Sequence, residues 1–427
     1  MHCKSDIILK EGGLGVVVGA GSSGLAAARL LKKMGLAVRL LEKTERGELT
    51  RLATDEGWEI QFGEHHPKQF EGAAVIVPSP GLALAKLLAF IPDGAEKLVM
   101  GETELAYRQV DEPIIAITGT SGKTTTASIC AAMLEAGGKE VFLGGNIGTP
   151  LSEYLLSGQK ADVLVLEISS FQLQTCSTFH PHVAMLLNLS ENHLDYHADM
   201  QEYEDAKFKL FSCQNKADYA VFPAGMKSSP RVAALEAQKI FFEPGAEFRE
   251  TSLFGLHNQA NLAAAWQAAR IFGVKLQDAQ RAAKEFKSIE HRLELVGEKK
   301  GVLFVNDSKS TTVDSLRVAL AAMNRPVLLL AGGVFKGGDL ASLAPLIREK
   351  VKAIGLFGAG REVFEPAWLG LVPISWSEDM QGATRNLLAE AKPGDVVLLS
   401  PGTASFDLYA NYKARGNDFK QIWENLR

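Results

Sequence analysis

One seven-residue stretch, Gly119-Thr120-Ser121-Gly122-Lys123-Thr124-Thr125, constrains this chain more than any other. It follows an apolar run, Pro113-Ile-Ile-Ala-Ile-Thr118, that reads as a β-strand, and precedes Ala127-Ser-Ile-Cys-Ala-Ala-Met-Leu-Glu135, which reads as a helix. A strand that feeds a Gly-rich turn opening a helix aims backbone N–H groups and the positive end of the helix at one point, where an anion is held. Lys123 adds a cation, and the Thr124 hydroxyl can ligate Mg²⁺. The common phosphate loop places four residues between its last two glycines; here only Thr120 and Ser121 separate Gly119 from Gly122, so this is a shortened form. A glycine turn that merely caps a helix is the bland alternative, and Lys-Thr directly after the second glycine argues against it.

Length and composition bound the rest. At 427 residues the chain is long enough for two to four domains, each with its own core. Apolar content of 46% and charged content of 22% describe a soluble enzyme, and a net charge of −5 favours neither nucleic acid nor membrane. The four cysteines, Cys3, Cys130, Cys176 and Cys213, lack C-x-x-C spacing, so free thiols in a reducing cytoplasm are expected. Asp6, Lys10 and Glu11 interrupt any signal-like apolar run, Lys86 breaks the run Leu82–Ile91, and a cytoplasmic location is the expectation.

Three blocks of alternating strand and helix patterns follow one another. The first holds Gly15-Val-Val-Val-Gly19, a helical run to Met34, and strands at 37–42 and 73–77. It contains Gly19-x-Gly-x-x-Gly24 with Glu42 one βαβ unit downstream, the pattern in which a dinucleotide pyrophosphate sits on a helix N-terminus and the acid holds a ribose. Alone that motif leaves three occupants open: a nicotinamide dinucleotide, a nucleotide-linked substrate, or none. The second block has strands at 113–118, 140–144, 162–168 and 182–188 and a helix at 258–272. The third, after His291-Arg292, has near-continuous apolar strands at 302–306, 326–331, 352–357 and 394–399, as in parallel sheets. The expectation is an α/β chain of three domains. They are a Rossmann-like domain at 1–106, a P-loop NTPase-like domain with a mostly parallel sheet at 107–288, and a second Rossmann-like domain at 289–427.

Chemistry-bearing residues fall at strand ends. Glu167 closes the apolar run from Asp162, at the carboxyl edge where open α/β sheets put ligands. The next strand runs into Asn192-His193-Leu-Asp195. Carboxylate and imidazole at adjacent strand tips beside a phosphate loop suit Mg²⁺ and water, although each alone reads equally well as a surface polar residue. Lys207, within the helical stretch 201–211, reads by itself as a solvated lysine.

In this order the motifs resemble the ATP-dependent Mur ligases of peptidoglycan synthesis. They are Gly119-Thr-x-Gly-Lys-Thr, Glu167-x-Ser-Ser, Asn192-His193-x-Asp, Ala206-Lys207, Leu256-His-Asn258-x-x-Asn261, His291-Arg292 and Asn306-Asp307-Ser308-Lys309. Glu167-Ile-Ser-Ser-Phe-Gln-Leu173 and Ser400-Pro-Gly-Thr-Ala-Ser405-Phe-Asp407, followed by Tyr412-Lys-Ala-Arg-Gly, look like the branch that adds D-glutamate to UDP-N-acetylmuramoyl-L-alanine. The Asp-Asn-Pro-Arg signature of the diamino-acid branch is not found. The resemblance spans nearly the whole chain.

The resemblance implies that ATP phosphorylates a carboxylate and that the amine of D-glutamate attacks the acyl phosphate. It assigns phosphate binding to residues 119–125, with Arg292 and Lys336. Thr124, Glu167, His193 and Lys207 would hold two Mg²⁺ ions, Lys207 as a CO₂-derived carbamate. Adenine would meet Asn258 and Asn261, and ribose Asp307. D-glutamate would meet Lys309, Thr311, Ser405, Phe406 and Tyr412, where phenylalanine is frequent in place of Tyr412. The uridine diphosphate would meet Ser22, Ser23, Lys43, Thr44 and Ser79, with Lys43-Thr44 replacing a frequent Thr-Arg. Asn146 and His193 would hold the muramyl side. Domain closure completing the γ-phosphate site, a monomer, and no nucleic-acid or membrane partner are also implied. The rivals are another Mur-type amide ligase, folylpolyglutamate synthase, a P-loop ATPase of other function and an NAD-dependent oxidoreductase.

Overall fold

The computed structural model describes residues 9–190, 197–251 and 253–426. The chain divides into two compact units, one running up to Phe248 together with Ala260–Ala283, the other comprising Arg249–Gln259 and Lys284–Arg427.

The first unit holds two parallel sheets. Strands β1 (Leu14–Val18), β2 (Ala37–Glu42), β3 (Glu59–Phe62) and β4 (Ala73–Pro78) pair in the order β3-β2-β1-β4. Strands β5 (Ile114–Thr118), β6 (Val141–Gly145), β7 (Val163–Glu167), β8 (Val183–Leu186), β9 (Tyr219–Pro223) and β10 (Gln238–Phe242) pair in the order β10-β9-β8-β5-β7-β6. All five residues of β5 and of β7 are buried, because helices cover both faces of a parallel sheet and select continuous Ile, Val and Leu. The strand order reverses about β5, which puts the ligand crevice of such sheets at its carboxyl end.

These two sheets share one core: Val17, Leu40 and Val75 belong to the same buried cluster as Ile114, Leu164 and Leu166. The helix Glu102–Tyr107 joins them and is fixed by two buried acids. Glu104 accepts the N–H groups of Ser177 and Thr178 at 3.2 and 3.0 Å and pairs with Arg108 at 3.0 Å. Glu102 accepts from Ser152 N–H at 2.6 Å, and burial pushes its carboxyl above the usual range.

The second unit is built on β11 (Glu294–Lys299), β12 (Val302–Asn306), β13 (Val327–Gly332), β14 (Val351–Phe357), β15 (Ile374–Ser377) and β16 (Val396–Leu399). Their order is β11-β12-β16-β13-β14-β15, parallel except for β11, which pairs antiparallel with β12. Among the described residues no helix is long and apolar enough to cross a membrane.

Cys130 and Cys176 are free thiols, as expected, and Cys3 lies outside the described residues.

Candidate active site

β5 ends at Thr118 and the chain turns through Gly119 and Gly122 into the helix Lys123–Ala136. Gly122 caps that helix at φ +83°, and a Cβ there would come within 2.5 Å of Asn261 Oδ1. Only glycine meets both conditions cheaply. The turn therefore packs directly on Asn261, one of the expected adenine residues.

Beside β5 lies β7, with Ile117 opposite Glu167. That register delivers the Glu167 carboxylate to the loop: Oε2 accepts from the Thr124 hydroxyl at 2.7 Å, and Oε1 accepts from Asn146 Nδ2 at 2.7 Å. Asn146 follows the last residue of β6, which is itself paired with β7. A hydroxyl and a carboxylate this close form a hard-oxygen donor pair of the kind Mg²⁺ takes. Lys123 Nζ donates to the carbonyls of Gly119 and Thr120 at 2.8 and 3.1 Å.

Lys207 is not the solvated helix lysine its local sequence suggests; it is 1% exposed. The helix Met200–Phe208 is capped by Asp199, whose Oδ1 accepts from Glu202 N–H at 2.8 Å. It buries one face comprising Tyr203, Ala206, Lys207 and Phe208. The Lys207 ammonium lies 4.5 Å from the centre of the Tyr203 ring, donates to the Gly119 carbonyl at 3.0 Å and reaches Thr118 Oγ1 at 3.5 Å. Burial, reinforced by the charge of Lys123 and opposed by Glu167, lowers its pKa to about 7. His193 and its neighbours Asn192 and Asp195 lie outside the described residues.

Sequence reasoning passed over Asn188, just beyond β8 on the other side of β5. Its carboxamide bonds both to the N–H and to the carbonyl of Ser121, at 2.9 and 3.0 Å. An asparagine ending a buried strand next to the phosphate-loop strand was the available signal.

In the first sheet, Ser22 and Ser23 open the helix Ser22–Lys33, and Ser79 follows β4 close to Gly19, where a Cβ would sit 2.8 Å from Ser79 Cβ. Glu42 does not point away from the glycine turn. Its Oε2 accepts from Ala20 N–H at 2.9 Å and its Oε1 from Lys43 N–H at 2.9 Å. Although burial opposes it, these backbone donors, with Thr44 N–H and Arg46, hold the carboxyl below its usual range. Its acceptors are committed to the turn, which weakens the ribose-binding reading. Lys43 and Thr44 are exposed, and Lys43 pairs with Glu64 at 2.7 Å.

The second unit gathers a separate group. Asp307, which follows β12, accepts from Leu293 N–H at 3.1 Å and from the Ser400 hydroxyl at 2.9 Å. Burial outweighs those bonds and raises its pKa to about 7. Lys309 Nζ stands 4.1 Å from the centre of the Tyr412 ring. Ser405 is buried, Thr311 half-buried, and Phe406 and Lys336 exposed. Asn258 Nδ2 donates to the Phe254 carbonyl at 2.8 Å. The segments carrying Lys309, Ser405 and Tyr412 meet on Arg415, a guanidinium without solvent exposure that lies within the Tyr412-Lys-Ala-Arg-Gly motif but was given no role there. It donates to Ser308 Oγ and to the Ser308 and Thr403 carbonyls at 3.0, 2.9 and 3.0 Å.

Residues 14–92 match the Mur ligase MurD-like N-terminal domain, 117–247 the Mur ligase middle domain, and 291–402 the Mur ligase glutamate ligase domain. The chain belongs to the Mur ligase family. It is 56% identical to the UDP-N-acetylmuramoylalanine--D-glutamate ligase of Oleidesulfovibrio alaskensis over 97% of this chain and 94% of that one. The protein of the same name from Nitratidesulfovibrio vulgaris, strain Miyazaki F, is 57% identical over 97% of each. Among solved structures, the MurF ligase of Thermotoga maritima in complex with ADP aligns with a TM-score of 0.59 and 19% identity, over 97% of this chain and 95% of that one. The UDP-N-acetylmuramate-alanine ligase of Thermotoga maritima gives a TM-score of 0.58 at 15% identity over 96% and 99%. At those identities the likeness is one of fold, and the fold is the three-domain α/β architecture expected from the sequence.

Proposed function

We propose that this protein joins D-glutamate to the L-alanine carboxylate of UDP-N-acetylmuramoyl-L-alanine, using ATP, in cytoplasmic peptidoglycan precursor synthesis. The terminal phosphoryl group of ATP passes to a carboxylate oxygen and ADP leaves. The amine of D-glutamate then attacks the carbonyl carbon, the C–O bond to phosphate breaks, and inorganic phosphate departs with that oxygen. A carboxylate resists a nucleophile until one oxygen becomes such a leaving group, so catalysis is largely positioning and charge neutralisation.

The observation that carries this reading is the convergence of Lys123, Thr124, Glu167 and Lys207 on one loop at the carboxyl end of β5. In this reading the loop N–H groups and Lys123 cradle the phosphates. Thr124 and Glu167 hold Mg²⁺, which supplies charge neutralisation on the transferring group. A second ion falls to His193 and Lys207. With a pKa of about 7, much of the Lys207 amine is unprotonated at neutral pH, the form that adds to CO₂ with loss of a proton. The resulting carbamate is an oxygen donor of reversed charge, suited to a hard cation.

The same reading extends to the other ligand groups. Asn258 and Asn261 serve adenine, Asp307 ribose, and Arg292 and Lys336 phosphate. Lys309, Thr311, Ser405, Phe406 and Tyr412 serve D-glutamate. Ser22, Ser23, Lys43, Thr44 and Ser79 serve the uridine diphosphate, and Asn146 with His193 the muramyl arm. The domain limits at 106/107 and 288/289 belong to this reading too. Phosphate release with UDP-N-acetylmuramoyl-L-alanine and a panel of amino acids tests it. D-glutamate should be the preferred acceptor and L-glutamate a poor one; equal rates with L-lysine or diaminopimelate would refute it.

A further inference from the structure

Asn188 stands two residues past the end of β8, where the chain leaves the sheet beside the phosphate loop. Both ends of its carboxamide engage the Ser121 peptide: Oδ1 accepts from Ser121 N–H at 2.9 Å, and Nδ2 donates to the Ser121 carbonyl at 3.0 Å. Its own carbonyl accepts from Thr120 N–H at 3.2 Å. Two residues on, Ser190 exchanges bonds with the Thr120 hydroxyl, its N–H donating at 3.1 Å and its carbonyl accepting at 3.2 Å. Tyr203 donates to that same hydroxyl at 3.2 Å. Segment 188–190 therefore grips the loop much as a neighbouring strand would, with a side chain supplying half of the pairing.

The gripped residues are the two between Gly119 and Gly122, both of which sit at positive φ. Glycines give the turn its shape and also leave it with the most conformational freedom to lose. An anion site assembled only when its ligand arrives spends part of the binding free energy on ordering; one already held in shape does not. Ser121 N–H, turned towards Asn188, is engaged by protein and so serves the shape of the loop.

We propose that Asn188 is a positioning residue for the nucleotide: a two-ended clamp on Ser121 that preorganises the phosphate loop and acts through it. The proposal rests on the reading of this loop as the ATP site.

The clamp has a chemical signature. Asn188→Ala removes both side-chain bonds. Asn188→Asp keeps an acceptor for Ser121 N–H but sets a carboxylate against the Ser121 carbonyl, next to an anion site. Calorimetric titration of the full-length enzyme with ADP and Mg²⁺ reads the nucleotide site without either acceptor. ADP affinity should fall about tenfold in Asn188→Ala, the worth of two partly exposed hydrogen bonds. The KM for ATP should rise in parallel while the KM for the nucleotide-sugar stays within about twofold, a split that general loosening would not produce. Asn188→Asp should bind ADP more weakly still at low salt, with the excess shrinking as salt screens the added charge. It also serves as the informative variant should Asn188→Ala fail to fold. Unchanged ADP affinity in a folded variant, or an equal rise in both KM values, would overturn the clamp. The ligase reading fails in a different place: a wild-type protein that binds ADP yet joins no amino acid would refute that reading and leave the clamp standing.

Discussion

Lys207 Nζ donates to the carbonyl of Gly119 at 3.0 Å, so a lysine from the last turn of the helix Met200–Phe208 is anchored against the glycine turn that follows β5. A buried ammonium pays a desolvation cost, which the fall of its pKa to about 7 records. A site that tolerates this cost gains an amine available for chemistry at neutral pH.

Lys207→Ala should therefore be folded and nearly inactive in the phosphate-release assay, by two orders of magnitude or more. If Lys207 carries the proposed carbamate, a small carboxylate such as acetate should restore part of the rate by supplying the oxygens that group would provide. Full activity of the variant would return Lys207 to a purely structural role.

Glu167→Gln keeps the size of a side chain bonded to both Thr124 and Asn146 and removes its charge. The Mg²⁺ concentration needed for half-maximal rate should rise at least about tenfold, because a neutral amide oxygen is a weaker ligand for a hard cation. A Mg²⁺ dependence identical to that of the unmodified enzyme would place the ion elsewhere.

Asp307 makes a prediction about pH. Its folded pKa is raised to about 7 from an unfolded value of 3.8, so between those limits the folded state holds more protons. Stability from this group is then fullest below about pH 4 and is lost as pH rises towards 7. Asp307→Asn should gain on the wild type by about 2–4 kcal/mol between pH 4 and 8 in urea unfolding. A pH-independent difference would show that Asp307 ionises freely in the fold.

Glu104 has no solvent exposure and holds Arg108, Ser177 and Thr178 together. Glu104→Ala leaves a largely buried guanidinium and two N–H groups without their acceptor, and should cost about 3–5 kcal/mol. Urea unfolding monitored by far-ultraviolet circular dichroism measures this directly; a loss below about 1 kcal/mol would mean that water replaces the carboxylate.

Much of this architecture was legible in the sequence, for a physical reason. Strands such as β5, β7, β13 and β16 are covered on both faces and consist of nearly unbroken apolar residues, so their composition alone reveals them. The edge strands β3, β10, β11 and β15 escaped notice because polar residues interrupt them, as in Glu59-Ile-Gln-Phe and Glu294-Leu-Val-Gly-Glu-Lys. The loop, Glu167 and Asn146 could be placed because a motif or a strand end marked them. Asn188 carried no motif at all, and Lys207 and Arg415 were marked only by the family motifs that contain them, not by any pattern of their own. Their importance lies in what surrounds them, and one lysine, asparagine or arginine on a surface reads the same as one that is buried.

The central claim is that this protein activates an alanyl carboxylate by phosphorylation and joins it to D-glutamate. The most direct measurement follows oxygen-18 from the carboxylate of labelled UDP-N-acetylmuramoyl-L-alanine during turnover with ATP and D-glutamate, with mass spectrometry of both products. The account predicts that the nucleotide-sugar product gains one glutamyl residue and loses one labelled oxygen, which appears in the inorganic phosphate. Unlabelled phosphate, or phosphate released at the same rate without D-glutamate, would contradict it.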